Sequence, residues 1–418
     1  MACRADRARS AVLLALLLCC GCRCGEVDPA EPGRVLLIGL DGAEWSVIRP
    51  MAAAGDLPNL ARLIETGAHG NLRSLEPRAV SPAIWTWIAT GKPPAAHRIE
   101  AFTAGQRNLM TTGNARAVEA FWNVASKAGR TVGIVGWLVT WPAENVNGFM
   151  ISDKILSTKI SDGRTYPAEL SGEIEPLLVR SESMPWSSVQ RYLDAPLEPA
   201  PDQETEKLLD PLKWISAADL SSEQIAKKLY RERRPDLMAV YLRGLDSVGH
   251  HFWSYMEPEA VPPERLNRKG LKLLKGTVRA YYRFVDEQIG ELLELADDRT
   301  TVVVVSDHGF TGGPGRPLAQ HGLDGVLVMA GHGVKPGEIT GATVYDVTPT
   351  LLVLLGIPPA KDMPGKVLWP ALVPAIPKER YAPVATYETG RRRTPGPPIE
   401  RPLDDETREQ LRSLGYLQ

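Results

Sequence analysis

Three stretches of the chain share one pattern: an apolar run that stops at, or a few residues before, an aspartate. They are Arg34-Val35-Leu36-Leu37-Ile38-Gly39-Leu40-Asp41-Gly42, Leu237-Met238-Ala239-Val240-Tyr241-Leu242 followed by Arg243-Gly244-Leu245-Asp246, and Thr301-Val302-Val303-Val304-Val305-Ser306-Asp307-His308-Gly309-Phe310. Unbroken apolar runs of this length predict strands buried on both faces, as in a parallel sheet. Segments with helical periodicity lie between and after them: Leu57–Ile64, the stretch after Ser81, Phe121–Ala128 with Gly129 as its stop, Thr277–Ala296 and Val344–Leu355. Further strands are expected at Thr131–Trp137 and, with a turn, at Asn147–Lys154, and Val326–Met329 is another short apolar run. Strands alternating with helices predict an α/β fold. From about Ile155 to Arg234 charged and polar residues dominate, with helical patterns at Glu169–Val179 and Ser222–Arg231. This stretch, 155–235, reads as a mostly helical insertion lying over the sheet, where it would shape a substrate pocket.

Composition narrows the chemistry. A chain of 418 residues with 44% hydrophobic content can build one large α/β domain. The formal net charge of −2 offers no global field for a nucleic-acid polymer, and none is expected as a partner. All five cysteines, Cys3, Cys19, Cys20, Cys22 and Cys24, lie in the first 24 residues. The rest of the chain therefore has no disulfide and no thiolate ligand, and any metal there must be held by carboxylate, imidazole or hydroxyl groups.

The amino terminus reads as an export signal. Arg4, Arg7 and Arg9 precede an apolar block, Ala11–Leu18, too short for a membrane span of ~20 residues. Gly21 before Cys22 is similar to a bacterial lipoprotein signal, in which the cysteine is lipidated; Cys20 is a rival acceptor, and a plain cleaved signal is the alternative. The expected organisation is a signal over 1–24, a tether over 25–33, one folded domain over 34–375 and a tail over 376–418 with a short helix at Asp404–Leu414. The protein is expected in the periplasm or cell envelope, on the membrane through its lipid.

Ligands of open α/β sheets bind where strands stop at their carboxyl ends. Asp41, Asp307 and His308 stand at such ends, and aspartate oxygen with histidine nitrogen suits Zn²⁺ or a similar transition metal. Asp246 and His250 are four apart, so they converge on one ion if the segment turns into a helix; His251 then points elsewhere. Each also has a plainer reading as a turn or capping residue. Pro82 favours a first helical turn, which puts Ser81 at or near the N-cap in the positive field of the helix end. Locally Ser81 reads as a cap. Asp153 and His97 read as structural.

Taken in order, Leu-Asp-Gly, Ser81-Pro82-x-x-Trp85-Thr86 with Thr90-Gly91, Asp246-Ser247-x-Gly249-His250, Ser306-Asp307-His308-Gly309 and His321-Gly322 resemble the alkaline phosphatase superfamily, most closely its type I phosphodiesterase/nucleotide pyrophosphatase branch. The resemblance runs over roughly Arg34–Leu372. It implies a three-layer sandwich with a largely parallel central sheet and an inserted cap. It also implies two divalent metal ions, usually zinc: one on Asp246, His250 and His321, the other on Asp41, Asp307 and His308 with the Ser81 oxygen. His332 in Ala-Gly-His-Gly is a rival for His321, whose His-Gly before an apolar run is the family pattern. The implied reaction is hydrolysis of a phosphodiester or pyrophosphate bond through a phosphoryl-serine, in a small-molecule, lipid or glycan substrate. Ser81 and Ile84 depart from the threonine and asparagine usual in nucleotide pyrophosphatases, and Arg98 from the glycine usual after His97. The alternatives are a phosphomonoesterase, a sulfatase, or a non-catalytic anchored binding protein. A sulfatase needs Cys/Ser-x-Pro-x-Arg, and Ala83 and Trp85 stand where its proline and arginine would be.

Overall fold

The structure is a computed structural model that describes residues 31–74, 80–104, 109–262, 266–311 and 320–389, with 28, 399 and 408 as single positions. The export segment and, apart from Arg408, the expected helix at Asp404–Leu414 lie outside the described residues. The strands in chain order are β1 (Arg34–Leu40), β2 (Ala68–Arg73), β3 (Thr103–Ala104), β4 (Leu109–Met110), β5 (Val132–Val135), β6 (Gly148–Ile151), β7 (Thr165–Tyr166), β8 (Leu237–Leu242), β9 (Thr300–Val305), β10 (Phe310–Thr311), β11 (Gln320–His321), β12 (Asp324–Gly331) and β13 (Gly337–Thr343). The helices are α1 (Trp45–Ala53), α2 (Pro58–Thr66), α3 (Ser81–Thr90), α4 (Pro94–His97), α5 (Phe121–Lys127), α6 (Leu170–Ile174), α7 (Gln203–Arg233), α8 (Gly244–Met256), α9 (Arg268–Leu273), α10 (Thr277–Leu293) and α11 (Val347–Leu354).

Nine strands form one sheet in the order β13-β2-β12-β9-β1-β8-β5-β6-β7. The three strands named first by their apolar runs are its centre: β1 pairs in parallel with β8 on one side and β9 on the other. Their side chains alternate between two cores, as the period of a strand requires. Leu36, Ile38 and Leu40 face one core with Leu209 of α7, Phe252 of α8 and Tyr281 of α10. Val35 and Leu37 face the other with Trp85 of α3, Phe121 of α5 and Leu351 of α11. The sheet is thus the middle of three layers, buried on both faces, and the fold is the alkaline-phosphatase-like α/β sandwich that the sequence predicts.

Two details set the geometry of the site. The block β9-β1-β8-β5-β6 is parallel, so these strands all end at one rim of the sheet. Strand β12 runs antiparallel between β9 and β2, so it starts at that same rim. The stretch 155–235 divides in two. Its first part gives the edge strand β7 with short helices and 3₁₀ turns, while α7, 31 residues long, packs against β5, β8 and α8 as one of the sheet-covering helices. Strands β2 and β13, which carry Gly and polar residues and no clean apolar run, are not expected from the pattern of the sequence.

Candidate metal centre and nucleophile

Every strand-end residue singled out above lies on the shared rim. Asp41 follows β1, Asp246 and His250 sit in the first two turns of α8 after β8, and Asp307 and His308 follow β9. His321 ends β11, which pairs back on β10 with Phe310 opposite His321. It reaches the rim from the other direction, just before the antiparallel strand β12 begins.

Asp41, Asp307 and His308 bring ligand atoms within 4.8 Å of one another, and so do Asp246, His308 and His321. His308 Nε2 lies 3.3 Å from Asp41 Oδ1, 3.6 Å from Asp307 Oδ2 and 3.7 Å from Asp246 Oδ1. His250 Nε2 lies 3.2 Å from Asp246 Oδ1 and 2.9 Å from His321 Nε2. His308 thus stands between the two expected ligand sets, its ring stacked on His321 at a centroid distance of 3.6 Å. His332 is elsewhere: it follows β12 at the opposite rim, with its ring 2.7 Å from the Glu31 carbonyl. His251 turns away toward Trp214, 5.9 Å between rings.

The electrostatics are those of a carboxylate cluster short of positive charge. Burial and the neighbouring Asp41 charge push Asp307 well above the usual carboxylate range. Burial opposes a proton on His308, but Asp307, Asp41 and Asp246 together raise it to about 10. Burial likewise opposes ionisation of Asp246, yet the His250 and His321 rings hold it well below the usual range. Burial and then His308 lower His321. Asp41 Oδ1, Asp307 Oδ2 and His308 Nε2 are all buried without a hydrogen-bond partner. Buried polar atoms are rarely left so. Oxygen and nitrogen atoms converging in this way fit a divalent cation, and the donor set suits Zn²⁺.

Short hydrogen-bonded ties fix the loops. Ser306 Oγ accepts from Ala43 N at 2.9 Å and donates to the His308 carbonyl at 2.7 Å, joining the ends of β1 and β9. Ser74 Oγ donates to the Asp307 carbonyl. The Glu44 carboxylate accepts from Ser46 N at 2.9 Å and from Phe310 N at 3.0 Å. The Phe310 ring packs on Gly249 of α8, where a β-carbon would come within 2.4 Å of it. On α8, Asp219 of α7 accepts from Arg243 N at 3.0 Å, Gly244 N at 3.1 Å and Tyr281 Oη at 2.9 Å. It anchors the start of the helix that carries Asp246 and His250.

Ser81 is the first residue of α3, with Val80 as N-cap and Pro82 next. Its Oγ is buried and has no hydrogen-bond partner. Trp85, one turn on and on the same helix face, donates from Nε1 to Asp41 Oδ2 at 3.2 Å, so this face of α3 is turned to the cluster. Thr86 Oγ1 instead donates to the Pro82 carbonyl at 2.7 Å, as a hydroxyl inside a helix commonly does. The positive helix end has few free backbone donors for an anion: Pro82 has no N–H, and Ala83 N and Ile84 N both donate to the Val80 carbonyl, at 2.9 and 3.2 Å. At most the N–H of Ser81 itself remains. Ile84 is buried in the core and supplies no donor. No role at the site was read from the sequence for Trp85, Tyr241, Glu44, Ser306 or Asp219. The one legible signal was Tyr241, a hydroxyl in an otherwise aliphatic buried strand, which must find a partner.

Residues 35–350, most of the chain, match the family described as type I phosphodiesterase / nucleotide pyrophosphatase, and the chain belongs to it. The family is one of phosphoester hydrolases, and the fold of this chain is alkaline-phosphatase-like. Among solved structures it is similar in fold to alkaline phosphatase PafA, at 13% identity and a TM-score of 0.52 over 82% of this chain and 100% of that one. It is similar also to a 2-O GAG sulfatase, at 13% identity and a TM-score of 0.52 over 81% and 74% of the two chains. A 2,3-bisphosphoglycerate-independent phosphoglycerate mutase of Synechococcus sp. (strain JA-3-3Ab) is 27% identical over 169 residues, 37% of this chain. That match spans 31% of the mutase's length.

Proposed function

We propose that this protein hydrolyses phosphate esters, with phosphodiester or pyrophosphate bonds favoured, through a phosphoryl-serine at Ser81 beside two divalent metal ions. The observation that carries the reading is the buried Ser81 hydroxyl without a partner, on the helix face that meets a converging set of Asp and His ligands. Asp41, Asp307 and His308 would hold one ion, and Asp246, His250 and His321 the other, with His308 close to both sets. Such a pair of ions, when bound, lowers the pKa of a hydroxyl and stabilises the attacking and leaving oxygens of an in-line displacement. Ser81 Oγ would then attack phosphorus as one bridging oxygen leaves with the proton, giving a serine phosphoryl ester that keeps the second substituent of a diester; water would cleave the Ser81 Oγ–P bond in the second step and restore the hydroxyl. The backbone adds little, since α3 has at most one N–H to give. The absent amide at Ile84 is the feature that favours a monoesterase as the second reading. A sulfatase is disfavoured by Ala83 and Trp85.

The test is metal analysis of the purified protein together with hydrolysis of p-nitrophenyl phosphate and its bis ester. Activity on the bis ester that is lost with a chelator and restored by zinc is expected. Full activity after exhaustive chelation, with no metal found, defeats the reading. Faster turnover of the monoester selects the second one.

The export segment supports a location in the bacterial cell envelope, with a lipid on Cys22 or Cys20. Among the described residues no helix is long and apolar enough to cross a membrane. Replacing Cys20 and Cys22 together by Ser should release the protein from the membrane fraction; retention of the double variant places the anchor elsewhere.

A further inference from the structure

Asp41 is 3% exposed, and its two oxygens have different surroundings. Oδ1 faces His308 Nε2 at 3.3 Å and receives no hydrogen bond. Oδ2 receives two, one from Trp85 Nε1 at 3.2 Å and one from Tyr241 Oη. We infer that Trp85 and Tyr241 are positioning residues: they occupy one oxygen of Asp41, aim the other into the metal centre, and lock the helix that bears Ser81 to the same carboxylate. The inference rests on the proposed roles of Asp41 as a metal ligand and of Ser81 as the nucleophile.

The sequence makes room for this arrangement. In β1, Gly39 lies on the same side as Asp41, two residues on, and a β-carbon at Gly39 would come within 2.8 Å of the Trp85 indole. The indole fills the space a side chain would have taken. Trp137 and Tyr241 pack edge-on against it at 5.1 and 5.0 Å, and Phe121 against Trp137 at 5.5 Å. Trp85 is fully buried. Its N–H therefore has a single available direction, onto Asp41.

The consequence is a shared node. Asp41 ends β1, Tyr241 belongs to the strand that leads to Asp246, and Trp85 stands one helical turn from Ser81. A carboxylate with one oxygen already bonded twice has the other free to bind a cation through a single atom. A shift of α3 along its axis would pull the indole from Asp41 and move Ser81 with it. The distance between nucleophile and ligand is thus set by side chains that touch neither the cation nor the phosphate.

The experiment uses Tyr241→Phe and Trp85→Phe, which keep an aromatic ring and remove the donor. Zinc affinity is measured by competition with a chromophoric chelator, and kcat and KM on the bis ester, on variants shown to be folded by circular dichroism. Tyr241→Phe should weaken zinc binding at one of the two sites by about 10- to 100-fold. Trp85→Phe should do the same and also lower kcat with KM little changed, because Ser81 loses its tether. Should Trp85→Phe not fold, Tyr241→Phe, which loses one oxygen only, carries the test. Wild-type zinc affinity in folded Tyr241→Phe overturns the inference while leaving the metal centre standing. Wild-type protein that takes up no zinc overturns the metal reading itself.

Discussion

A buried hydroxyl with nothing to bond is an unusual possession for a folded chain, and Ser81 and Thr86 show the contrast within one helix. Thr86 has satisfied itself on the Pro82 carbonyl and is not offered to a reaction. Ser81 has not. Ser81→Ala should therefore lose on the order of 10³ or more in turnover while retaining fold and zinc, and Thr86→Ala should lose far less. Kinetics with metal content measured on each variant check this, and a phosphopeptide that maps to Thr86 reverses the assignment. The sequence marks Ser81 by its Pro neighbour and its spacing to Thr90-Gly91. Its missing partner could not be read there, because burial at this position comes from α3 docking on the ends of distant strands. The same holds for Trp85: an indole in a helical run reads as core, and only the packed sheet shows where its N–H points.

Among the elements, α8 has the most demanding placement, since Asp246 and His250 must present one face with no adjustment of the chain before them. Arg243 at its N-cap makes no side-chain cap. The cap comes from Asp219, 24 residues earlier than Arg243 and 1% exposed, whose carboxylate takes two backbone N–H groups and the Tyr281 hydroxyl. Asp219→Ala would strand two buried donors, Gly244 N and Tyr281 Oη, each costing about 1–3 kcal/mol, and the part-buried Arg243 N. A loss of several kcal/mol in urea denaturation is expected, with a smaller loss for Asp219→Asn. An Ala variant as stable as wild type would show that water or a shift of α8 replaces the cap. The i, i+4 spacing of Asp246 and His250 was legible because it is local. Asp219 was not, since nothing in the composition of α7 distinguishes this aspartate from an exposed one on the same helix such as Asp210. For the same reason α7 itself, polar overall, reads as surface insertion although it packs against two strands and another helix.

At the scale of the whole molecule, the central strands, the helices between them and the order of ligand segments were all readable, because unbroken apolar runs and helical periods are strong signals. The polar strands β2 and β13 were not, since their places are decided by β12 and by each other. Stability should carry a signature of His97, fully buried on the short helix after Thr90-Gly91, with its Nδ1 accepting from Ile99 N at 3.0 Å. Burial, and then Arg116, push its imidazole down from 6.5 to about 3. The unfolded chain takes up this proton near pH 6.5 and the folded chain does not until about pH 3. His97 thus supports the fold fully above pH 6.5 and loses that support as the pH falls, by up to about 1.4 kcal/mol per pH unit. His97→Asn, which keeps an acceptor for Ile99 N, should flatten the decline between pH 7 and pH 5 in denaturation midpoints. An unchanged slope would mean that His97 is protonated in the fold after all.

The antiparallel course of β12 has a temporal meaning. The ligand segments lie from Asp41 to His321 along the chain, and the last of them reaches the rim only when β12 has found its place between β9 and β2. The pairings that gather these segments, β1 with β8 and with β9 and β12 with β2, join residues more than 200 apart, and such pairings are slow to form. Until they close, Asp41, Asp246 and Asp307 are separate carboxylates on an unfinished sheet. On the proposed metal reading, loading would be tied to completion: a chain that stalls before its final strands settle would have no assembled ligand set, and a metal-loaded chain would by that fact have finished folding.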